Sequence, residues 1–220
     1  QMEHEKKGIL LAGPTASGKS KLAIKLAQHF NGEIINADSM QIYKEISILT
    51  SKPDIKDTKI IKHHLYGFNS VKKNFSTGHW LKMVVYKIKE QWKRDLTPIV
   101  VGGTGLYFKG LTDGLVKIPE IPNKLRTSIR KLHNKIGQNF FFTKLVKLDP
   151  LAKKFVLASD AQRSIRAYEV KKFTNISLFY LIKKTKSDFN SKVFKKIFIC
   201  TPKDVLHKKI EMRVEEMFRH

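Results

Sequence analysis

Residues 10–23 read LLAGPTASGKSKLA, and this stretch decides the fold. It holds the pattern G-x-x-x-x-G-K-S without a mismatch, across Gly13, Pro14, Thr15, Ala16, Ser17, Gly18, Lys19 and Ser20. Glycines let backbone N–H groups curl around phosphate oxygens, Lys19 supplies a point charge, and Ser20 can ligate Mg²⁺. The helix that begins there adds the positive end of its dipole. The preceding GILLAG is a short apolar run ending in glycine, which reads as a buried strand. Residues 19–30 follow as a helix, with Leu22, Leu26 and Phe30 at four-residue spacing and Ala23 and Ala27 alongside. A strand, a glycine-rich loop and a helix in that order form the context a phosphate loop needs. The motif leaves open what the phosphates are attached to.

Working outward, EIINAD (33–38) is a second strand ending on Asp38. Residues 79–94 form an amphipathic helix with a stripe of Trp80, Val84, Ile88 and Trp92. PIVVGG (98–103) is a third strand and KKIFICT (195–201) a fourth. Thr201 then reads as an N-cap, Pro202 as a first helical residue and Asp204 as its first-turn partner, with Leu206, Ile210, Val214 and Met217 on one face. Strands alternating with helices predict an α/β fold: a P-loop NTPase-like parallel sheet core flanked by helices. Residues 117–194 differ. They contain no clear strand and are packed with Lys, Arg and Phe, so they read as a mostly helical insertion, leaving 1–116 and 195–220 as the core.

The chain has 220 residues, 41% of them hydrophobic, enough for a core and too many for a disordered chain. No apolar run reaches the ~18 residues that cross a bilayer. The single cysteine, Cys200, cannot form an internal disulfide, which points to a reducing cytoplasm. Its apolar neighbours predict a small buried group. Lys and Arg number 43 against 19 Asp and Glu, a net charge of +24. A field of that sign draws in nucleic acid, anionic membrane or polyphosphate. A solvated lysine face is the plainer alternative.

P-loop ATPases and GTPases normally end a core strand in an acid that holds Mg²⁺ and positions water. Here PIVVGG ends in glycines and IFIC in cysteine, so Asp38 is the strand-terminal acid. It is a candidate general base for a nucleophile beside the loop, or else a turn residue or helix cap. GGTGLYF (102–108) places Thr104 and three glycines at the sheet edge where open parallel sheets bind ligands, or makes a plain strand-to-helix turn. DAQRSIRAYEV (160–170) puts Gln162, Arg163 and Arg166 within about one helical turn, able to grip phosphates or base edges. By pattern alone it is also an ordinary solvated helix. His63 and His64 are adjacent, with no second ligand cluster, which argues against a histidine metal site.

Together, GPTASGKS, INADSMQIYKEISILTSKP, HHLYGF, PIVVGGTGLYFKGLTDGL, DAQRSIRAYEV and LHKKIEMRVEEMF resemble the tRNA dimethylallyltransferase (tRNA isopentenyltransferase) family, in family order over nearly the whole chain. The resemblance implies prenyl transfer from dimethylallyl diphosphate to N6 of adenosine 37, beside the anticodon of tRNA. The loop would hold the diphosphate of that donor, with Mg²⁺ as cofactor. It implies a base flipped into a channel, since an exocyclic amine in a stacked loop is hard to reach otherwise. It makes Asp38 the general base and gives Lys19, Thr104 and Arg213 catalytic roles. It assigns tRNA contacts to Asp38, Ser39, Met40, Gln41, Thr104 and Arg126, and to the strip Gln162, Arg163, Ser164, Ile165 and Arg166. The insertion becomes a tRNA-binding unit, and a cytoplasmic monomer without membrane attachment is expected. The chain departs from the family pattern at Leu49 (usually glycine), at Ala161 (usually proline) and in KKFTNIS, where the family usually has a glycine. Family members continue beyond RVEEMF. Two other readings therefore stay open: a P-loop small-molecule or nucleoside kinase, and a truncated, inactive remnant that still binds tRNA.

Overall fold

The computed structural model describes residues 6–46, 53–73 and 75–218; Leu49 lies outside the described residues. The chain divides into two compact units, 1–114 with 187–220, and 115–186. The second boundary falls earlier than the expected 194. Phe189 packs edge-on against Trp92 and Phe194, and Val193 joins the same apolar cluster, so these residues belong to the α/β unit.

Among the described residues the α/β unit is built on five parallel strands: β1 (Gly8–Ala12), β2 (Gly32–Asn36), β3 (His63–His64), β4 (Thr97–Gly102) and β5 (Phe194–Phe198). Their order is β3-β2-β4-β1-β5. The central strands bury both faces, as their unbroken apolar runs require. Side-chain alternation sorts them onto two layers. Ile9, Leu11, Ile34, Ile99 and Val101 face one way and pack on Ala23 and Ala27 of α1 (Lys19–His29). Leu10, Ile35 and Val100 face the other way, against α3 (Thr77–Lys93) and α4 (Gly105–Asp113). Trp80, Val84 and Ile88 of α3 are fully buried, and Trp92 partly so. On α1 the alanines rather than the predicted Leu22–Leu26–Phe30 line lie deepest; Phe30 is 46% exposed, beyond the helix end. A short helix α2 (Ile55–Ile60), capped by the Asp54 side chain, precedes β3.

At the start of β2, opposite the strand ends that matter below, Glu33 is buried between Arg94 and His64, which lie 2.8 and 2.6 Å away. The Arg94 guanidinium, and behind it His64, hold its carboxyl down at about 2. Burial pushes the His64 imidazole below its ordinary range despite the nearby carboxylate.

β5 lies at the sheet edge, and Cys200 just beyond it is exposed, not buried as expected, because an edge strand has a partner on one side only. The final helix, labelled α9 below, runs Lys203–Phe218 and starts a residue later than the sequence suggested, with the Leu206 N–H bonding the Pro202 carbonyl.

The second unit is helical among its described residues: α5 (Asn123–Leu148), α6 (Ala152–Phe155), α7 (Ala161–Thr174) and α8 (Leu178–Lys184). Its core is Leu145, Ala152 and Ala167, flanked by Phe142, Tyr168, Leu178 and Phe179. α5 breaks at Gly137 (φ 75°), a left-handed step that glycine takes at little cost. The break lets Gln138 bond the Ala158 carbonyl and the Ser164 hydroxyl on its neighbours. Both departures on α7 are locally compensated. Asp160 caps the helix by accepting the Arg163 N–H, so Ala161 serves without the family's proline. Asn175 takes the left-handed C-terminal position (φ 57°) that glycine usually fills. No described helix is long and apolar enough to cross a membrane.

Candidate diphosphate and nucleic-acid site

The C-terminal ends of β1, β2 and β4 carry the phosphate loop, Asp38 and Gly102–Thr104. The loop closes tightly. The Gly13 N–H bonds the Gly102 carbonyl, the Ser17 N–H bonds the Pro14 carbonyl, and the buried Lys19 reaches back to the Pro14 carbonyl at 3.0 Å. Ala16 and Gly18 are left-handed (φ 61° and 85°), and Gly18 stands where α1 begins. Alternating hands of backbone point successive N–H groups inward and make an anion nest. Ser17 Oγ is buried and has no hydrogen-bond partner among the described residues. A Cβ at Gly13 would lie 2.9 Å from it and 3.2 Å from Ile199 Cβ, so a side chain at the loop's first position would displace the Ser17 hydroxyl. Thr15, Gly18 and Ser20 are exposed.

β2 ends at Asn36, two residues short of the predicted Asp38. Asn36 is fully buried and folds the turn that follows. Its Oδ1 accepts the Asp38 N–H, and its Nδ2 donates to the carbonyls of Asp38 and Leu65. The Trp80 indole N–H bonds the Asn36 carbonyl at 2.8 Å, and the Trp80 ring stacks on Tyr107 at 4.2 Å. Burial, with Tyr43 and then the charge of Asp38 adding to it, pushes the Tyr107 phenol up to about 12. Asp38 Oδ1 accepts the Met40 N–H. Oδ2 lies toward Gly103: a Cβ there would sit 4.0 Å from Oδ2 and 3.4 Å from the Gly13 carbonyl. At Gly102 a Cβ would collide with the Ala37 carbonyl, so that glycine is obligatory. Thr104 clasps two strand ends. Its Oγ1 accepts the Ser39 N–H at 2.9 Å and donates to Ser39 Oγ at 3.3 Å, while its own N–H bonds the Ala37 carbonyl. Met40 is 53% exposed; Ser39 and Gln41 are half-buried, and Gln41 shares a small cleft with Ser20 and Tyr66.

The structure thus brings together the loop, Asp38, Ser39 and Thr104. Arg213 lies on α9, its side chain outside the described residues. In the helical unit Gln162, Arg163 and Arg166 are exposed, Ile165 is half-buried and Arg126 partly exposed. Ser164 corrects the sequence reading. It is fully buried, and its hydroxyl accepts from Gln138, so its side chain packs α7 against α5 and is not an exposed contact. Sequence reasoning missed Asn36, although a polar residue closing an apolar strand was a visible sign, and it missed the buried Glu169 on α7.

A P-loop at the end of β1, with an acid in the turn after β2, two strands away, defines a phosphate-handling α/β protein. The profile of the IPP transferase family matches residues 41–220, and that of isopentenyl transferases matches residues 7–73. The chain belongs to the IPP transferase family. It is 51% identical over 219 residues to the tRNA dimethylallyltransferase of Pelagibacter ubique, covering 100% of this chain and 70% of that protein. It is 46% identical to the tRNA dimethylallyltransferase of Rickettsia massiliae, covering 98% of this chain and 60% of that one. Among solved structures it is similar to a eukaryotic dimethylallyltransferase acting on tRNA, with 29% identity, TM-score 0.82, and 97% of this chain against 53% of that one. The full-length tRNA isopentenylpyrophosphate transferase of Bacillus halodurans also matches, at 29% identity and TM-score 0.62, over 97% of this chain and 66% of that one.

Proposed function

We propose that this protein transfers a dimethylallyl group from dimethylallyl diphosphate to N6 of adenosine 37 in tRNA, as a cytoplasmic monomer. The observation that carries the reading is the placement of a carboxylate oxygen, Asp38 Oδ2, across Gly103 from the start of a phosphate loop. The N6 amine would attack the allylic carbon as the carbon–oxygen bond to diphosphate breaks. Asp38 would take the amine proton, with Oδ1 already held by the Met40 N–H and Oδ2 left for the substrate. Lys19, the loop N–H groups and the buried Ser17 hydroxyl would receive the departing diphosphate. Thr104 holds the Asp38–Gln41 strip in register, where Ser39, Met40 and Gln41 would meet the RNA near the reacting base. Arg213 is assigned to the diphosphate by resemblance alone.

Mg²⁺ fits this donor set. The described residues hold no group of three or more His, Cys, Asp or Glu able to bind a metal alone, and Ser20 offers an exposed hydroxyl beside the loop. Mg²⁺ usually takes one or two protein ligands, substrate phosphates and water, and would neutralise diphosphate charge there. Family membership disfavours the kinase reading. The protein incubated with tRNA and either labelled dimethylallyl diphosphate or labelled ATP should label tRNA only from the prenyl donor, at a single adenosine. Phosphate transfer to a small acceptor, without prenyl transfer, would overturn the proposal.

A further inference from the structure

The helical unit buries a carboxylate under three arginines. Glu169, on α7, is 2% exposed. Arg166, one turn earlier, places Nη1 3.4 Å from Oε2. Arg126 and Arg130, one turn apart on α5, bring their Nε atoms to 3.8 and 4.0 Å from Oε1. Oε1 and Arg126 Nε are both buried without a hydrogen-bond partner among the described residues. A carboxylate out of water is strongly destabilising unless compensated. Here three cations face one anion, so the cluster is overcompensated. Arg166 Nη1 donates one long hydrogen bond to Oε2, while the Arg126 and Arg130 separations exceed hydrogen-bond reach, so charge rather than saturated hydrogen bonding holds the group together. Each guanidinium carries five donors and turns at most one side to Glu169. The arginine side chains stay 43, 61 and 46% exposed. Three like charges would otherwise spread apart, and the buried carboxylate gathers them.

We propose that Glu169 is a positioning residue that holds Arg126, Arg130 and Arg166 as one face for the backbone phosphates of the RNA substrate, with Arg130 a contact that the family resemblance does not assign. This rests on the tRNA reading above. Phosphate is the favoured partner because a guanidinium fork matches it and because the face keeps excess positive charge. An arrangement serving only to pack α5 on α7 would need one arginine, not three with exposed tips.

The test is tRNA binding across salt for the wild type, Arg130→Gln and Glu169→Gln, with KM for tRNA and kcat alongside. Arg130→Gln, at an exposed position, should weaken binding roughly three- to tenfold at low salt and lower the salt slope by about one. KM for tRNA should rise while kcat holds. Glu169→Gln adds net positive charge yet should also weaken tRNA binding, because the guanidiniums are no longer gathered. A folded Glu169→Gln protein that binds tRNA as well as or better than wild type would overturn the positioning role. An unchanged salt slope in Arg130→Gln would overturn the inference even if Glu169→Gln does not fold. Failure of the wild type to bind tRNA at any salt would instead sink the proposed function, and this inference with it.

Discussion

The strand-end site and the arginine face solve opposite problems. The first is made largely of backbone: a loop closed by the Pro14 and Gly102 carbonyls, a glycine at 102 whose substitution would collide with Ala37, and a turn held by the buried amide of Asn36. The second is made of long exposed side chains around one buried carboxylate. Chemistry at a bond tolerates errors of only about 0.5 Å, so it requires rigid supports. Gripping a polyanion requires charge density and tolerates side-chain motion. Damage to the two regions should therefore look different. In the first it should cut turnover; in the second it should cut affinity, and only at low salt.

The largest effect should come from Lys19→Ala. Removing the buried cation from a preorganised anion site should lower kcat by about 10³-fold while leaving tRNA affinity nearly intact. Single-turnover transfer with a parallel binding titration checks this. Weak tRNA binding at undiminished turnover would erase the contrast between the regions. Asp38→Asn comes next, with a fall of about 10²-fold, since an amide keeps the shape and its oxygen can still accept the Met40 N–H, but it cannot take a proton. Near-wild-type turnover would reduce Asp38 to an anchor for the adenine. The smallest effect belongs to Arg163→Gln. Arg163 is 72% exposed and its partner is Asp160, 3.4 Å away on the same turn. Affinity should fall about threefold at low salt and not measurably at high salt. A loss that persists at high salt would mean that Arg163 reads a base edge rather than a phosphate.

Much of the fold was legible because local patterns carry it. The phosphate loop lies between its strand and helix, and apolar runs at 8–12, 32–36 and 97–102 give buried parallel strands. The stripe of Trp80, Val84 and Ile88 gives a helix buried on one face. Less legible were features set by long-range partners. Phe189 reads as part of a basic insertion, yet its ring meets Trp92, almost a hundred residues earlier in the chain. Cys200 reads as a core residue, but β5 lies at the sheet edge, and no local pattern reveals which strand that will be. Ser164 sits between arginines in the sequence, and only the break at Gly137 brings Gln138 to it.

By itself the sequence determined the family and named the candidate site residues. The glycines and Lys19 are demanded by the geometry of a phosphate loop between a strand and a helix, and such demands are written in residue type and spacing. Tertiary structure alone decided how those groups are held and which charges act together. Asn36 fixes the turn carrying Asp38 through bonds to Leu65 and Trp80, 29 and 44 residues away. Glu169 gathers arginines from α5 and α7. Burial is the physical reason. A carboxylate or amide commands distant partners only once packing has removed it from water, and which residues lose water is a property of the whole fold.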